Sequence, residues 1–333
     1  MSWRDKEDLG TQLVAHVHES LRIPGDYSLD RDRGFEWWAS DYCQRVWSDL
    51  GNFHNASTVY RLHAEIDFLQ ANGHFEEAKP AFAAAMAEGS LNAIVYDPEK
   101  DLIKLHSSIY GQDENVNWVH RVFNAVIALQ ICEVHRMAQR FAHDFKMSHA
   151  MTEHPTKGGR KAPDPICEFE ERFFKPYGAN ESRWVGVEEW DEGRQALRRI
   201  SKDLKTDYKL CLDATFDWNY GHRDMALLVS AVDPHPILGN GLLFALTTPV
   251  MMEDALKSQV AMMLNEHERK DWNWYNDLGT WCLLDGELTF FSFVPNVCYV
   301  EGILRDFCHD MGLRANWVNE HWAEFVRTDW MHG

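Results

Sequence analysis

The chain has 333 residues, 45% hydrophobic and 26% charged, with a formal net charge of −19. That is long enough for two domains and apolar enough for a packed core, so disorder throughout is excluded. The acidic balance argues against nucleic acid, whose phosphates recruit Lys and Arg, and against anionic membrane surfaces. It fits plain solubility or a basic partner.

The seven cysteines, Cys43, Cys132, Cys167, Cys211, Cys282, Cys298 and Cys308, are odd in number and contain no C-x-x-C pair. Free thiols in a reducing, cytoplasmic compartment are expected. Met1–Asp8 opens on charges with no apolar run behind it, so no signal peptide is expected, and no apolar stretch approaches a membrane span.

Leu9, Leu13, Val17 and Leu21 recur at helical spacing and predict a helix over 5–21, ended by Pro24-Gly25. Phe35–Trp38 and Gln44–Trp47 read as strands. From Tyr60 to Phe68 the alternation is regular: Tyr60, Leu62, Ala64, Ile66 and Phe68 point one way, and Arg61, His63, Glu65 and Asp67 the other. That predicts a strand with one dry and one wet face. A helix opening at Pro80 follows. Leu91–Tyr96 and Leu102–Ile109 predict a hairpin, and a largely buried helix is expected over 115–142.

Residues 152–165 hold three Pro and two Gly without apolar periodicity, which marks a linker. The order of elements then repeats. Trp190, Leu197, Ile200 and Leu204 predict a helix, and Leu210–Trp218 a half-exposed strand. Met225–Val232 and Leu242–Thr247 predict two more strands, and Met252–Met263 a helix. Thr280–Leu284 and Glu287–Val294 predict a hairpin through Asp285-Gly286, a type I′ signal. Val300–Met311 traces the last helix. At one constant offset Glu77-Ala78 faces Asp254-Ala255, Met86 faces Met263, Val126-Ile127 faces Ile303-Leu304 and Ala138 faces Ala315. The expectation is an α+β unit over 1–150, a linker over 151–185 and a second such unit over 186–333.

No catalytic constellation emerges. His16 and His18 point to different helix faces, and Cys132 with His135 supplies only two ligands of the four that structural zinc takes. A G-x-S-x-G elbow and a P-loop lysine are both missing. The acidic pairs Glu76-Glu77, Glu170-Glu171 and Glu188-Glu189 read as solvated faces. Cys167 has no neighbouring His to activate it. The aromatic residues are the better candidates for contact with a partner: Trp37, Trp38, Trp218, Phe291 and Phe293. Glu287–Val294 is apolar on both faces, so its second face is expected either to pack against the other domain or subunit, or to line a peptide groove.

The succession helix, strands, helix, two-stranded hairpin, long helix resembles the type III secretion chaperone fold and the YbjN family of sensory transduction regulators. The resemblance rests on Leu91–Tyr96 with Leu102–Ser107 in the first half and Leu278–Trp281 with Leu288–Pro295 in the second. It covers roughly 30–145 and 186–318. It implies two tandem units forming an internal pseudo-dimer, where such chaperones have one unit and dimerise, and it carries over no catalytic residue. The reading that follows is a non-enzymatic, protein-binding chaperone-like or regulatory protein of bacterial type. Its partner is a protein, a peptide or a second copy, with no cofactor, metal, nucleic acid or membrane. A structural stress-response scaffold shares that fold. The rival is an enzyme with a dispersed active site in an inter-domain cleft.

Overall fold

A computed structural model describes residues 7–54, 57–160, 166, 174–175, 180–201, 205–208, 211–218, 223–271 and 274–325. The protein is α+β, with six α-helices and antiparallel sheets among these residues. Its internal contacts divide it into two units. The first is Met1–Ala78 with Leu91–Pro176, and the second is Lys79–Ser90 with Tyr177–Gly333. No described helix is long and apolar enough to cross a membrane.

In the first unit, α1 (Leu9–Ser20) is capped by Asp8, whose carboxylate accepts the Thr11 amide at 3.1 Å and is held by Arg33 at 2.7 Å. Then come β1 (Ser28–Arg31), β2 (Gly34–Ala39), β3 (Tyr42–Ser48), β4 (Asn52–His54), β5 (Ser57–Gln70) and α2 (Phe75–Ala85). The hairpin β6 (Ala93–Asp97) and β7 (Leu102–Gly111), the helix α3 (Val116–Asp144) and the short β8 (Ser148–His149) complete the unit. The sheet order is β1-β2-β3-β5-β7-β6, with β4 and β8 each paired to β5. Leu62, Ala64, Ile66 and Phe68 are fully buried on the face that α3 covers, where Phe68 meets Phe141 edge-on and Gln130 donates to the Ala64 carbonyl.

Pro80, expected to open its helix, lies inside α2, which begins at Phe75. Residues Lys79–Ser90 belong to the second unit, and specific bonds hold them there. The Phe293 amide donates to the Ser90 carbonyl at 3.1 Å, and His235 reaches the carbonyls of Glu88 and Gly89.

The second unit runs α4 (Glu189–Ile200), β9 (Lys205–Tyr208), β10 (Cys211–Trp218), β11 (Arg223–Ser230), β12 (Gly241–Thr248), α5 (Asp254–Lys270), β13 (Thr280–Leu284), β14 (Glu287–Pro295) and α6 (Ile303–Phe325). Its sheet order is β9-β10-β11-β12-β14-β13. Asp285 and Gly286 both have positive φ, 52° and 79°, as the type I′ turn between β13 and β14 requires. Phe290, Trp281 and Phe244 face α5 and α6. The offset that faces Val126-Ile127 with Ile303-Leu304 is not kept: Ile303 opens α6, whereas α3 opens at Val116.

The segment expected as a linker divides. Met151 bridges Tyr42, the Thr152 amide donates to the Asp41 carbonyl at 2.7 Å, and the Arg160 amide donates to the Asp41 carboxylate at 3.1 Å. Residues 151–160 are therefore bound to the first unit. Residues 161–165, 167–173 and 176–179 lie outside the described residues, as do Cys167 and Glu170-Glu171.

Gly34 shows how tightly β2 and β3 are joined. A Cβ there would lie 2.0 Å from the Val46 carbonyl oxygen and 2.6 Å from the Trp47 Cα, both backbone atoms that cannot turn aside. Gly34→Ala is expected to destabilise the protein by about 1–3 kcal/mol, the usual cost of overpacking. An unchanged urea midpoint would show that β2 and β3 can separate freely.

Candidate functional site

The polar side of β5 is the densest collection of chemistry-bearing side chains in the first unit. Cross-strand partners share a face, so the register decides who meets whom. Glu65 lies between Arg45 and His106, His63 between Trp47 and Ser108, and Arg61 and Asp67 lie opposite Tyr110 and Lys104. Glu36 stands opposite Arg45 on β2.

These residues were expected on a wet face. Instead Arg61, His63, Glu65, Asp67, Lys104 and His106 are all at most 5% exposed. What makes burial tolerable is mutual pairing. Arg45 grips Asp67 through two hydrogen bonds of 2.7 Å and lies 3.4 Å from Glu36 and 3.6 Å from Glu65. Lys104 bridges Glu65 at 3.0 Å and Asp97 at 3.1 Å. The Arg61 Nε donates to Ser108 Oγ at 2.9 Å, and its guanidinium lies over the Tyr110 ring.

His63 is the most constrained member. Its Nε2 lies 3.0 Å from Asp49, its Nδ1 lies 3.2 Å from His106 Nε2, and its ring stacks on Trp47 at 4.7 Å. Burial drives the His63 pKa below the ordinary imidazole value, against the pull of the Asp49 hydrogen bond. Burial also pushes the Asp49 carboxyl up, but the hydrogen bond and charge of His63, together with Arg61, outweigh it and leave Asp49 below its usual range. A carboxylate, an imidazole and a second imidazole thus stand in one hydrogen-bonded line, an arrangement that can pass a proton along itself.

Among the described residues, the second unit holds its buried ion pair in the helix layer. Arg314 on α6 donates to both carboxylate oxygens of Glu268 on α5, at 2.9 and 3.0 Å, and to the Asn276 carbonyl at 2.7 Å. Its guanidinium lies 3.5 Å from the Phe290 ring centre and 4.5 Å from that of Tyr275. The Trp281 indole donates to Glu268 at 2.7 Å. Asp310 accepts from the Asn276 side chain at 2.5 Å, and burial raises its pKa to about 7.

Among the residues expected to meet a partner, Trp37 is 1% exposed and lies in the core, where its indole donates to Gln44 at 2.8 Å and Gln44 continues to Gln130. Trp38, on the opposite face, is 4% exposed and donates to Thr152. Phe291 and Phe293 are 5% and 0% exposed, with Phe293 against His235 at 4.9 Å. Trp218 ends β10 opposite Arg223; its side chain lies outside the described residues.

Glu189, expected on a solvated face, is buried and accepts the Leu304 amide near the start of α6 at 3.3 Å; burial raises its pKa. His16 stacks on His120 at 4.0 Å, and His135 lies against Tyr42 at 5.3 Å. Cys132 is buried, and burial raises the Cys43 thiol to about 12. Among the described residues no group of three or more His, Cys, Asp or Glu is placed to hold a metal ion. No protein-family model, no curated protein and no solved structure matches the chain.

The two clusters respond to pH with opposite sign. The folded His63 resists protonation while an unfolded one titrates near 6.5, so its contribution is complete above that pH and is lost as the pH falls below it. His63→Gln is expected to make the loss of stability between roughly pH 7 and 5 shallower. The residual slope combines His120, His135 and His309, whose pKa values burial also lowers, with the opposing contribution of Asp310. Urea unfolding across that range checks this, and an unaltered slope would remove His63 from the account.

Asp310 behaves in reverse. The folded carboxyl keeps its proton to about pH 7 while the unfolded one releases it near 3.8, so stability falls as the pH rises through that window. Asp310→Asn should therefore be more stable than the parent at pH 8 and lose that advantage towards pH 4. A variant less stable than the parent at pH 8 would show that the charged carboxylate is needed.

Proposed function

We propose that the chain is a non-enzymatic, protein-binding protein of chaperone-like or regulatory type, built as a tandem of two type III secretion chaperone-like units. The observation that carries this reading is the strand order. Along the chain the order helix, strand meander, helix, hairpin, helix occurs twice, and in each sheet the second hairpin strand joins the last strand of the meander while the first takes the edge. That is the succession the YbjN-like resemblance implies, met twice.

The state of the polar groups supports the same reading. A catalytic acid or base has to be able to reach a substrate proton. His63 has both ring nitrogens engaged, and Arg45, Glu65, Asp67 and Lys104 neutralise one another. Among the described residues the Asp49–His63–His106 line is the feature that most favours an enzyme, and its burial turns it towards structure and pH response instead.

Apolar side chains presented to solvent supply a contact surface. Leu50 and Phe53, just before and on β4, are 74% and 73% exposed. A photo-crosslinking residue at Phe53 should trap a discrete partner in cells, and Leu50→Asp with Phe53→Asp should abolish the capture. Stability should move by no more than about 0.5 kcal/mol, as for other exposed substitutions. Capture that is absent, or equal in the double variant, would count against protein binding through this hairpin.

A further inference from the structure

Two turns in this chain share one design. His154-Pro155-Thr156-Lys157-Gly158 and His235-Pro236-Ile237-Leu238-Gly239 each begin with His-Pro and end with Gly at positive φ, 73° and 72°. In each, the final glycine amide donates to the histidine carbonyl, at 2.9 and 3.0 Å. In each, histidine Nδ1 accepts the two amides that follow the proline: Thr156 and Lys157 at 3.3 and 3.2 Å, Ile237 and Leu238 at 3.1 Å. An Nδ1 that accepts leaves the neutral ring's proton on Nε2, so each turn holds an Nε2–H in a fixed direction.

In the second unit that donor has a use. His235 Nε2 lies 3.1 Å from the Glu88 carbonyl and 3.0 Å from the Gly89 carbonyl, with Phe293 against the ring. The carbonyls come from the end of the 3-10 turn Met86–Glu88, where a helix's last acceptors lack partners of their own. In the first unit the same donor has no hydrogen-bond partner among the described residues. His154 is 3% exposed, its Nε2 is buried, and its ring is walled by Trp38 at 4.8 Å and Tyr27 at 5.9 Å.

We propose that His154 is a second backbone-carbonyl site, one that receives the C-terminal carbonyls of a glycine-ended helix from a partner protein. A water is a poorer occupant. It needs roughly two to four polar partners, and the Trp38 indole is already committed to Thr152 at 3.1 Å. Tyr27, over which the Arg160 guanidinium lies at 4.6 Å, is the partly exposed wall of the site. The assignment rests on the protein-binding reading above and gives its partner a chemistry.

The test uses the full chain labelled with 15N-histidine, and as probe the peptide acetyl-AAAMAEGS-amide, the sequence of residues 83–90. The His154 Nε2–H resonance should move downfield and saturate while that of His235 stays in place. His154→Phe should weaken peptide binding about tenfold, the loss of one hydrogen bond. A His154 resonance unmoved at about 1 mM peptide, a concentration that would reveal even weak binding, overturns the site. Binding that persists undiminished in His154→Phe also overturns it, while leaving the protein-binding reading intact. The parent protein's own resonance reads the site directly, so the test does not depend on the variant folding.

Discussion

The first unit's sheet depends on the bidentate pairing of Arg45 with Asp67. An unpaired buried guanidinium or carboxylate is too costly to persist, so each charge on this face obliges another to stand beside it. Arg45 requires Asp67, Glu65 and Glu36; Glu65 requires Lys104; Lys104 requires Asp97. These obligations run across five strands and specify their register. A slip of one residue on β5 would turn Arg61, His63, Glu65 and Asp67 towards α3 and leave Leu62, Ala64, Ile66 and Phe68 among the charges. Charge complementarity and the apolar pattern select the same register, which is the agreement between levels that a uniquely folded chain needs.

The second unit has the same strand order and another place for its charge. Its β14 carries Phe290 on one face and Phe291 and Phe293 on the other, all buried, and leaves no polar row of the β5 kind. The buried ion pair moves to the helices, where Glu268 and Arg314 lock α5 to α6 and the Asn276 carbonyl ties in the loop between α5 and β13. Removing either partner alone would strand the other, at about 3–5 kcal/mol. One topology thus accepts two interiors, because strand order constrains which backbones are neighbours and leaves the chemistry of each face open.

Much of this was legible in residue pattern. The alternation of Tyr60–Phe68 marks β5, Asp285-Gly286 marks the turn between β13 and β14, and the apolar circumference of 115–142 marks α3. The wet face of β5 was misjudged for a physical reason. Alternation tells which side a residue takes, not what covers that side. The groups that make burial bearable, Arg45 and Lys104, lie on other strands, and Arg45 is 22 residues from Asp67. The Glu268–Arg314 pair spans 46 residues and leaves no local trace. The allegiance of Lys79–Ser90 was hidden in the same way, since a helical pattern says nothing about which unit its end will join. The repeated His-Pro-x-x-Gly is visible in the sequence, at 154–158 and 235–239. Its significance depends on which carbonyls reach Nε2.

The treatment of polar groups separates folding roles from binding roles in this chain. Where a side chain is buried with its partners in place, as Arg314 is with Glu268, its chemistry is consumed by the fold and only protonation can alter it. His154 differs because its acceptor nitrogen is satisfied by its own turn while its donor nitrogen is not. An unpaired buried donor weakens the fold that contains it, and a ligand that supplies an acceptor recovers that loss on binding. The hydrogen-bond accounting that explains why the sheet face of the first unit holds together therefore also marks a position, beside Trp38, where a donor of the same unit has no partner among the described residues.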